Sequence, residues 1–158
     1  MMMKPAITIR RAQAADFPIL KLVLRETFTS TWEPEVTSEA AARYLDRSVE
    51  YVEERGHLFW VAVREAAVVG LLDFHANFVH ALHVRPSVAR AGVGTVLMEK
   101  AEAEIAAAGF PSAHLETDTF NSRSRAFYAR RGYREIDEYP DQEWNSGLTT
   151  LLLEKQLA

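Results

Sequence analysis

Apolar residues recur on two different periods along this chain, and the points where one period replaces the other divide it into elements. Ile7-Thr8-Ile9-Arg10 alternates and predicts a short strand. Asp16 stands at a helix N-cap position with Pro18 in the first turn, and Ile19, Leu20, Val23, Leu24, Thr27 and Phe28 follow at helical spacing. Thr31 to Glu35, which contains Pro34, breaks that helix. Ser38 is placed to cap a second helix, whose apolar line is Ala41, Leu45, Val49 and Val52 and whose end is Gly56. Leu58 to Arg64 and Ala67 to Phe74 predict an antiparallel hairpin turning near Glu65-Ala66, and Phe78 to Val84 a strand stopped by Arg85-Pro86. Val96/Leu97, Ala101, Ile105 and Ala108 mark one face of a helix closed by Gly109. Ala113 to Thr119 reads as a strand and Ser122 to Arg131 as a short helix closed by Gly132. Tyr133 to Ile136 and Leu148 to Leu153 read as the last two strands. The order β-α-α-β-β-β-α-β-α-β-β predicts a single domain over residues 1–158, of α+β or α/β class with a mixed sheet. A hairpin feeds a strand, and a helix crosses over to a parallel neighbour.

Composition narrows the functions open to such a domain. With 158 residues, 48% hydrophobic and 25% charged, the chain can bury its own core and is not a disordered polymer. It has no cysteine, which excludes disulfides, thiolate metal sites and an acyl-cysteine intermediate. Met1 to Pro5 is not followed by the apolar stretch of a secretory signal, and no apolar run approaches about 18 residues. A cytoplasmic protein without a membrane segment is therefore expected. The net charge of −4 divides unevenly, into +3 for residues 85–134 and −7 for the rest. A locally basic segment in an acidic chain suits a small anion or phosphate ligand better than nucleic acid, which wants a basic domain.

Two constellations carry candidate chemistry. The first is Arg85-Pro86-Ser87-Val88-Ala89-Arg90-Ala91-Gly92-Val93-Gly94-Thr95, between a strand and a helix. Two glycines let backbone approach a ligand, and the first helical turn offers free N–H groups and a positive dipole end, a combination fit for a pyrophosphate. Gly94 is followed by Thr95-Val96 rather than Lys-Ser/Thr, so this is no P-loop. Leu97 occupies the third-glycine position of a dinucleotide fingerprint. The second constellation is Asn121-Ser122-Arg123-Ser124-Arg125-Ala126-Phe127-Tyr128, closing with Gly132-Tyr133. Asn121 can cap the helix or turn toward a ligand. The Tyr128 phenol, of ordinary pKa about 10, can protonate a leaving thiolate of ordinary pKa about 8.5, or it can simply be core.

Taken together, Val84-x-Pro86…Gly92-x-Gly94 and Asn121-x-x-Ser124-x-x-Phe127-Tyr128-x-x-x-Gly132-Tyr133 resemble the GNAT superfamily of N-acetyltransferases, with the matched motifs spanning residues 82–133. The resemblance implies a mixed, mostly antiparallel sheet of roughly six or seven strands flanked by about four helices. It also implies acetyl-CoA as co-substrate, with no metal. On this likeness the pyrophosphate lies on Arg90, Ala91, Gly92, Val93, Gly94 and Thr95. The pantetheine amides pair with Leu82, His83 and Val84, beside Asn121, Ser124 and Phe127, and Tyr128 is the general acid. The sequence departs from the family pattern at Ala89, where Gln or Arg is usual, and at Phe78, where many relatives carry a Glu.

Without that Glu the base must be sought among Asp73, His75, His80, His83, Glu116 and Asp118. His80 is favoured because imidazole titrates near neutrality, with His83 second because a bulge could reorient it. Strict alternation sets Phe78, His80 and Leu82 on one face of their strand and Val79, Ala81 and His83 on the other, which disfavours a histidine metal site. Phe28, Trp32, Glu33 and Tyr139, with Glu35, Asp141, Glu143 and Trp144, supply the aromatic faces and carboxylates that suit a cationic amine acceptor. The expected function is direct acetyl transfer to a primary amine of a small molecule or protein, in a chain that, like many relatives, can pair as a homodimer. The alternative is a non-catalytic acyl-CoA-binding or sensor domain on the same fold.

Overall fold

The computed structural model describes residues 5–157. Seven strands form one sheet in the order β1-β2-β3-β4-β5-β7-β6: β1 Ile7–Arg11, β2 Trp60–Arg64, β3 Ala67–His75, β4 Phe78–Val84, β5 Ser112–Asp118, β6 Arg134–Pro140 and β7 Thr149–Gln156. Four helices flank it: α1 Phe17–Thr27, α2 Ser38–Arg55, α3 Val93–Ala107 and α4 Ser122–Arg130. The β2–β3 hairpin turns through Glu65 and Ala66 at φ 51° and 64°. Two successive left-handed residues match the right-handed twist of the flanking strands.

Each face of the sheet has its own core. On one, Leu97, Met98, Ala101 and Ile105 of α3 pack on Ala62, Val69, Leu72, Val79, Ala113, Leu115, Leu151 and Leu153, drawn from both halves of the sheet. On the other, Leu20, Val23 and Leu24 of α1 and Val52 of α2 pack on Val61, Val68, Leu71 and Ala81, which come from β2, β3 and β4 only. The second core therefore stops at β4. Among the described residues, neither β5 nor β7 contributes to it.

The structure corrects four expectations. Helix α2 buries Ala40, Ser48 and Val52, whereas Val49 is 45% exposed. The inward line is thus offset by one residue from Ala41-Leu45-Val49, because this face is partly polar. The α2 N-cap is Thr37, whose side chain accepts from the Ala40 N–H at 3.1 Å, rather than Ser38. Asp16 does not cap α1 through its side chain; its carboxylate accepts from Arg10 at 2.8 and 3.0 Å and from the Gln13 N–H at 2.7 Å. Finally, β4 does not alternate strictly. Opposite Asp73 and Phe74 stand Ala81 and Val79, which leaves His80 as the extra residue of a bulge. Val79, Leu82 and Val84 then pack toward the α3 core while Ala81 packs toward α1 and α2.

Candidate active site

The parallel seam between β4 and β5 is joined at only two positions, Phe78 with His114 and Val79 with Leu115. Beyond them the strands diverge, and residues 80–84 have no strand partner on the β5 side. A cleft of about 840 Å³ opens there. Its walls are His80 to His83 of β4, Leu115 to Asp118 of β5, Ser124 and Tyr128 of α4, and Tyr44, Arg47, Ser48, Tyr51 and Arg55 of α2. The segment from Tyr139 to Trp144 and the single residues Trp32 and Thr150 also line it.

At the C-terminal end of β4 lies the glycine turn. Gly92 has φ +85°, a conformation that a β-carbon disfavours, and it is the N-cap of α3. The first intrahelical bond is Val96 N–H to the Gly92 carbonyl, 3.1 Å, so the N–H groups of Val93, Gly94 and Thr95 have no intrahelical acceptor. A β-carbon at Gly94 would sit 3.4 Å from Cζ of Phe127, which brings α4 against the start of α3. Arg90 is exposed beside the turn, with φ 67°. Much of the local positive charge is already engaged. Arg85 pairs with Glu26, Lys100 with Glu104, Arg125 with Glu135 and Arg131 with Glu102, at 2.7 to 3.1 Å. An anion here would rest chiefly on backbone donors.

Tyr128 is 8% exposed, packed edge-on against Phe127 and Tyr133 at centroid distances of 5.1 and 5.6 Å. Its ring is core, yet it also lines the cleft, and its hydroxyl makes no hydrogen bond among the described residues. Burial pushes its pKa upward, against a smaller opposing effect of Arg131, so the phenol is a neutral donor. Asn121 is buried and caps α4, its Oδ1 accepting from the Ser124 N–H at 3.1 Å.

The bulge brings His80 and His83 to the same cleft, contrary to strict alternation. Among the described residues no three His, Asp or Glu side chains converge as a metal site would require. The Thr27 hydroxyl donates to the Leu24 carbonyl at 3.1 Å, so its oxygen accepts from His83 Nδ1 at 2.8 Å. That fixes the proton on Nδ1 and leaves Nε2 with a free lone pair. Burial pushes His83 from 6.5 down to about 4 and lowers His80 as well. For His83 the folded pKa lies below the unfolded one, so the unfolded chain binds the proton first as pH falls. Stability is then lost between about pH 6.5 and 4, by at most roughly 3 kcal/mol, since part of the ring faces the open cleft. Urea titrations at pH 7 and pH 4.5 should show a smaller acid loss for His83→Gln than for the parent; equal losses would contradict this.

The remaining sequence candidates separate. Asp73 is fully buried and occupied, by Arg55 through two bonds of 2.8 Å and by Tyr51, which removes it as a base. His75 lies at the exposed end of β3, outside the cleft walls. Trp32 and Tyr139 line the cleft. Phe28 does not; it is fully buried behind it, stacked on Tyr44 at 4.3 Å. Glu33 sits on the exposed turn Glu33–Glu35, away from the wall. Asp118 accepts from Trp32 Nε1 at 2.7 Å and Glu116 from the Tyr139 hydroxyl at 2.5 Å. Sequence reasoning missed Thr27, Thr150 and the inward face of α2. The helical spacing of Tyr44, Ser48, Tyr51 and Arg55 was the available signal.

The chain matches the acetyltransferase (GNAT) family over residues 20–133 and belongs to that family. Its α+β fold is that of solved members. The apo form of YjaB from Escherichia coli superposes with a TM-score of 0.80 at 22% identity, covering 94% of this chain and 97% of that one. The PaiA N-acetyltransferase from Thermoplasma acidophilum, in complex with coenzyme A, gives 0.73 at 20% identity, with 96% and 99% covered. YncA from Salmonella typhimurium, with its cofactor acetyl-CoA, gives 0.71 at 18% identity, with 97% and 95% covered.

Proposed function

We propose that this protein is an acetyl-CoA-dependent N-acetyltransferase that passes the acetyl group directly to a primary amine. The observation that carries this reading is the juxtaposition, at one split in the sheet, of free helix N–H groups, an unpaired strand edge and an unpartnered tyrosine hydroxyl. The complexes of PaiA with coenzyme A and YncA with acetyl-CoA support the choice of donor.

Residues 82–84 can take the pantetheine amides as a sheet edge takes an added strand, while Gly92 to Thr95 hold the pyrophosphate. The thioester carbonyl then lies near His83 and Val84, where a backbone N–H can stabilise its developing charge. The amine nitrogen attacks the carbonyl carbon; a C–N bond forms, the C–S bond breaks, and Tyr128 donates its proton to the leaving thiolate. The amine's surplus proton passes to His80. His83, held at about 4, is too weak a base to draw a proton from an ammonium group, whereas His80 sits at the exposed bulge.

Calorimetry with CoA and thiol release from acetyl-CoA across an amine panel test this. CoA binding with turnover of at least one amine is expected. CoA binding without turnover of any amine would make the protein an acyl-CoA sensor instead. Absence of CoA binding would overturn the site itself.

A further inference from the structure

Four carboxylates gather at one end of the cleft, the end formed by β5 and the segment before β7: Glu116 and Asp118 on the strand, Asp141 and Glu143 on the segment. They stand where the second apolar core stops. Asp141 is committed to the fold, accepting from the Glu143 and Ser146 N–H groups at 2.9 Å each. Glu116 and Asp118 each accept one bond from an aromatic side chain, Tyr139 and Trp32, and each keeps a second oxygen without a partner among the described residues. Glu143 forms no ion pair among them, and the one cation acting on it is the exposed Arg47. Burial, and after it the neighbouring acids, push both Glu143 and Asp118 upward, with Arg47 opposing this in part at Glu143.

A second observation points to a ligand. Thr150 is 8% exposed and lines this same end, in register between Asp118 of β5 and Tyr139 of β6. Although the residue is nine-tenths buried, its hydroxyl forms no hydrogen bond among the described residues and is not sealed from solvent, so it is open to the cleft. Trp32, Tyr44 and Trp144 also line the cleft, with Tyr44 and Trp144 edge-to-face at 5.1 Å. Aromatic faces, free carboxylate oxygens and a spare hydroxyl are the groups that take an alkylammonium out of water.

We propose that this end of the cleft binds the second, non-reacting ammonium of a diamine-type acceptor while the first ammonium, once deprotonated, reaches the Tyr128 region. The proposal rests on the acetyltransferase reading and narrows its acceptor class. A far-end carboxylate would meet like charge, and a far-end methyl would leave the acids unpaired.

Three acceptors of four carbons each separate these cases: 1,4-diaminobutane, butylamine and 4-aminobutanoate. kcat/KM from thiol release should favour the diamine over butylamine by roughly tenfold or more, with the amino acid poorest. Added salt should narrow the gap, since exposed ends of the site are screened. In Glu143→Gln and Asp118→Asn, the latter keeping an acceptor for Trp32, the diamine-to-butylamine ratio should collapse toward one. Calorimetric binding of 1,4-diaminobutane to the CoA-loaded protein gives a readout that needs no turnover, and both variants should weaken it. Equal or inverted preference, or a ratio unmoved by both variants, overturns the diamine site while leaving the acetyltransferase reading intact. If no amine is turned over, that reading fails, and diamine binding by calorimetry still decides this one: its absence overturns it, and its loss in the variants supports it.

Discussion

Gly92→Asp is expected to weaken CoA binding by roughly a hundredfold or more while leaving the protein folded. A β-carbon at this position meets no atom within 4 Å, so the new side chain finds open space. The backbone must still hold φ +85°, which costs about 1 kcal/mol for an L residue and less for Asp or Asn than for most. The carboxylate, however, would stand at the mouth of the α3 N–H groups, where phosphate oxygens must sit. Repulsion of two like charges at about 4 Å amounts to some 4 kcal/mol at the effective dielectric of a protein surface. Gly92→Asn has nearly the same shape without the charge and should lose much less. Calorimetry with CoA on both variants, with melting curves as the folding control, measures the difference. Equal affinity of Gly92→Asp and the parent would remove the pyrophosphate from this turn.

Tyr128→Phe should lower kcat by roughly 10²–10⁴-fold, the range over which a positioned proton donor contributes, with CoA affinity and melting temperature near the parental values. The expectation of unchanged stability follows from the packing. The hydroxyl has no partner among the described residues to leave stranded, and the ring contacts with Phe127 and Tyr133 are retained. A tyrosine whose role was only structural would leave both turnover and stability near the parental values, since phenylalanine keeps its packing. Melting curves and steady-state kinetics on the same preparation therefore separate the two roles.

The parts of the fold that a one-dimensional pattern can carry were legible. The limits of β4 read directly from Phe78 and from Arg85-Pro86, because a proline-led stop and an apolar run are local signals. The glycine turn was legible because Gly92 and Gly94 mark backbone that other residues disfavour. The bulge at His80 was not, since an inserted residue has no composition of its own and shows only in the register with Asp73 and Phe74. Hence the histidines were assigned to opposite faces. The inward face of α2 was missed for a different reason: Tyr44, Ser48 and Arg55 point toward a cleft, so the apolar stripe that ordinarily marks the buried side is shifted by one residue. The positive charge of residues 85–134 was visible, but its engagement by Glu26, Glu102 and Glu135 depends on tertiary contacts.

The two-residue seam between β4 and β5 also bears on how firmly the molecule holds together. Its two half-sheets are joined mainly by the α3 layer beneath them, and the backbone edge of residues 80–84 is left to solvent or to a ligand. Whatever fills that gap binds the folded chain and not the unfolded one, so its free concentration becomes a term in the folding equilibrium. At a hundred times its Kd such a ligand adds about 2.7 kcal/mol, a sizeable fraction of the total stability of an ordinary domain. Under the acetyl-CoA reading, the lifetime of this protein in a cell is thereby coupled to the supply of the co-substrate it consumes.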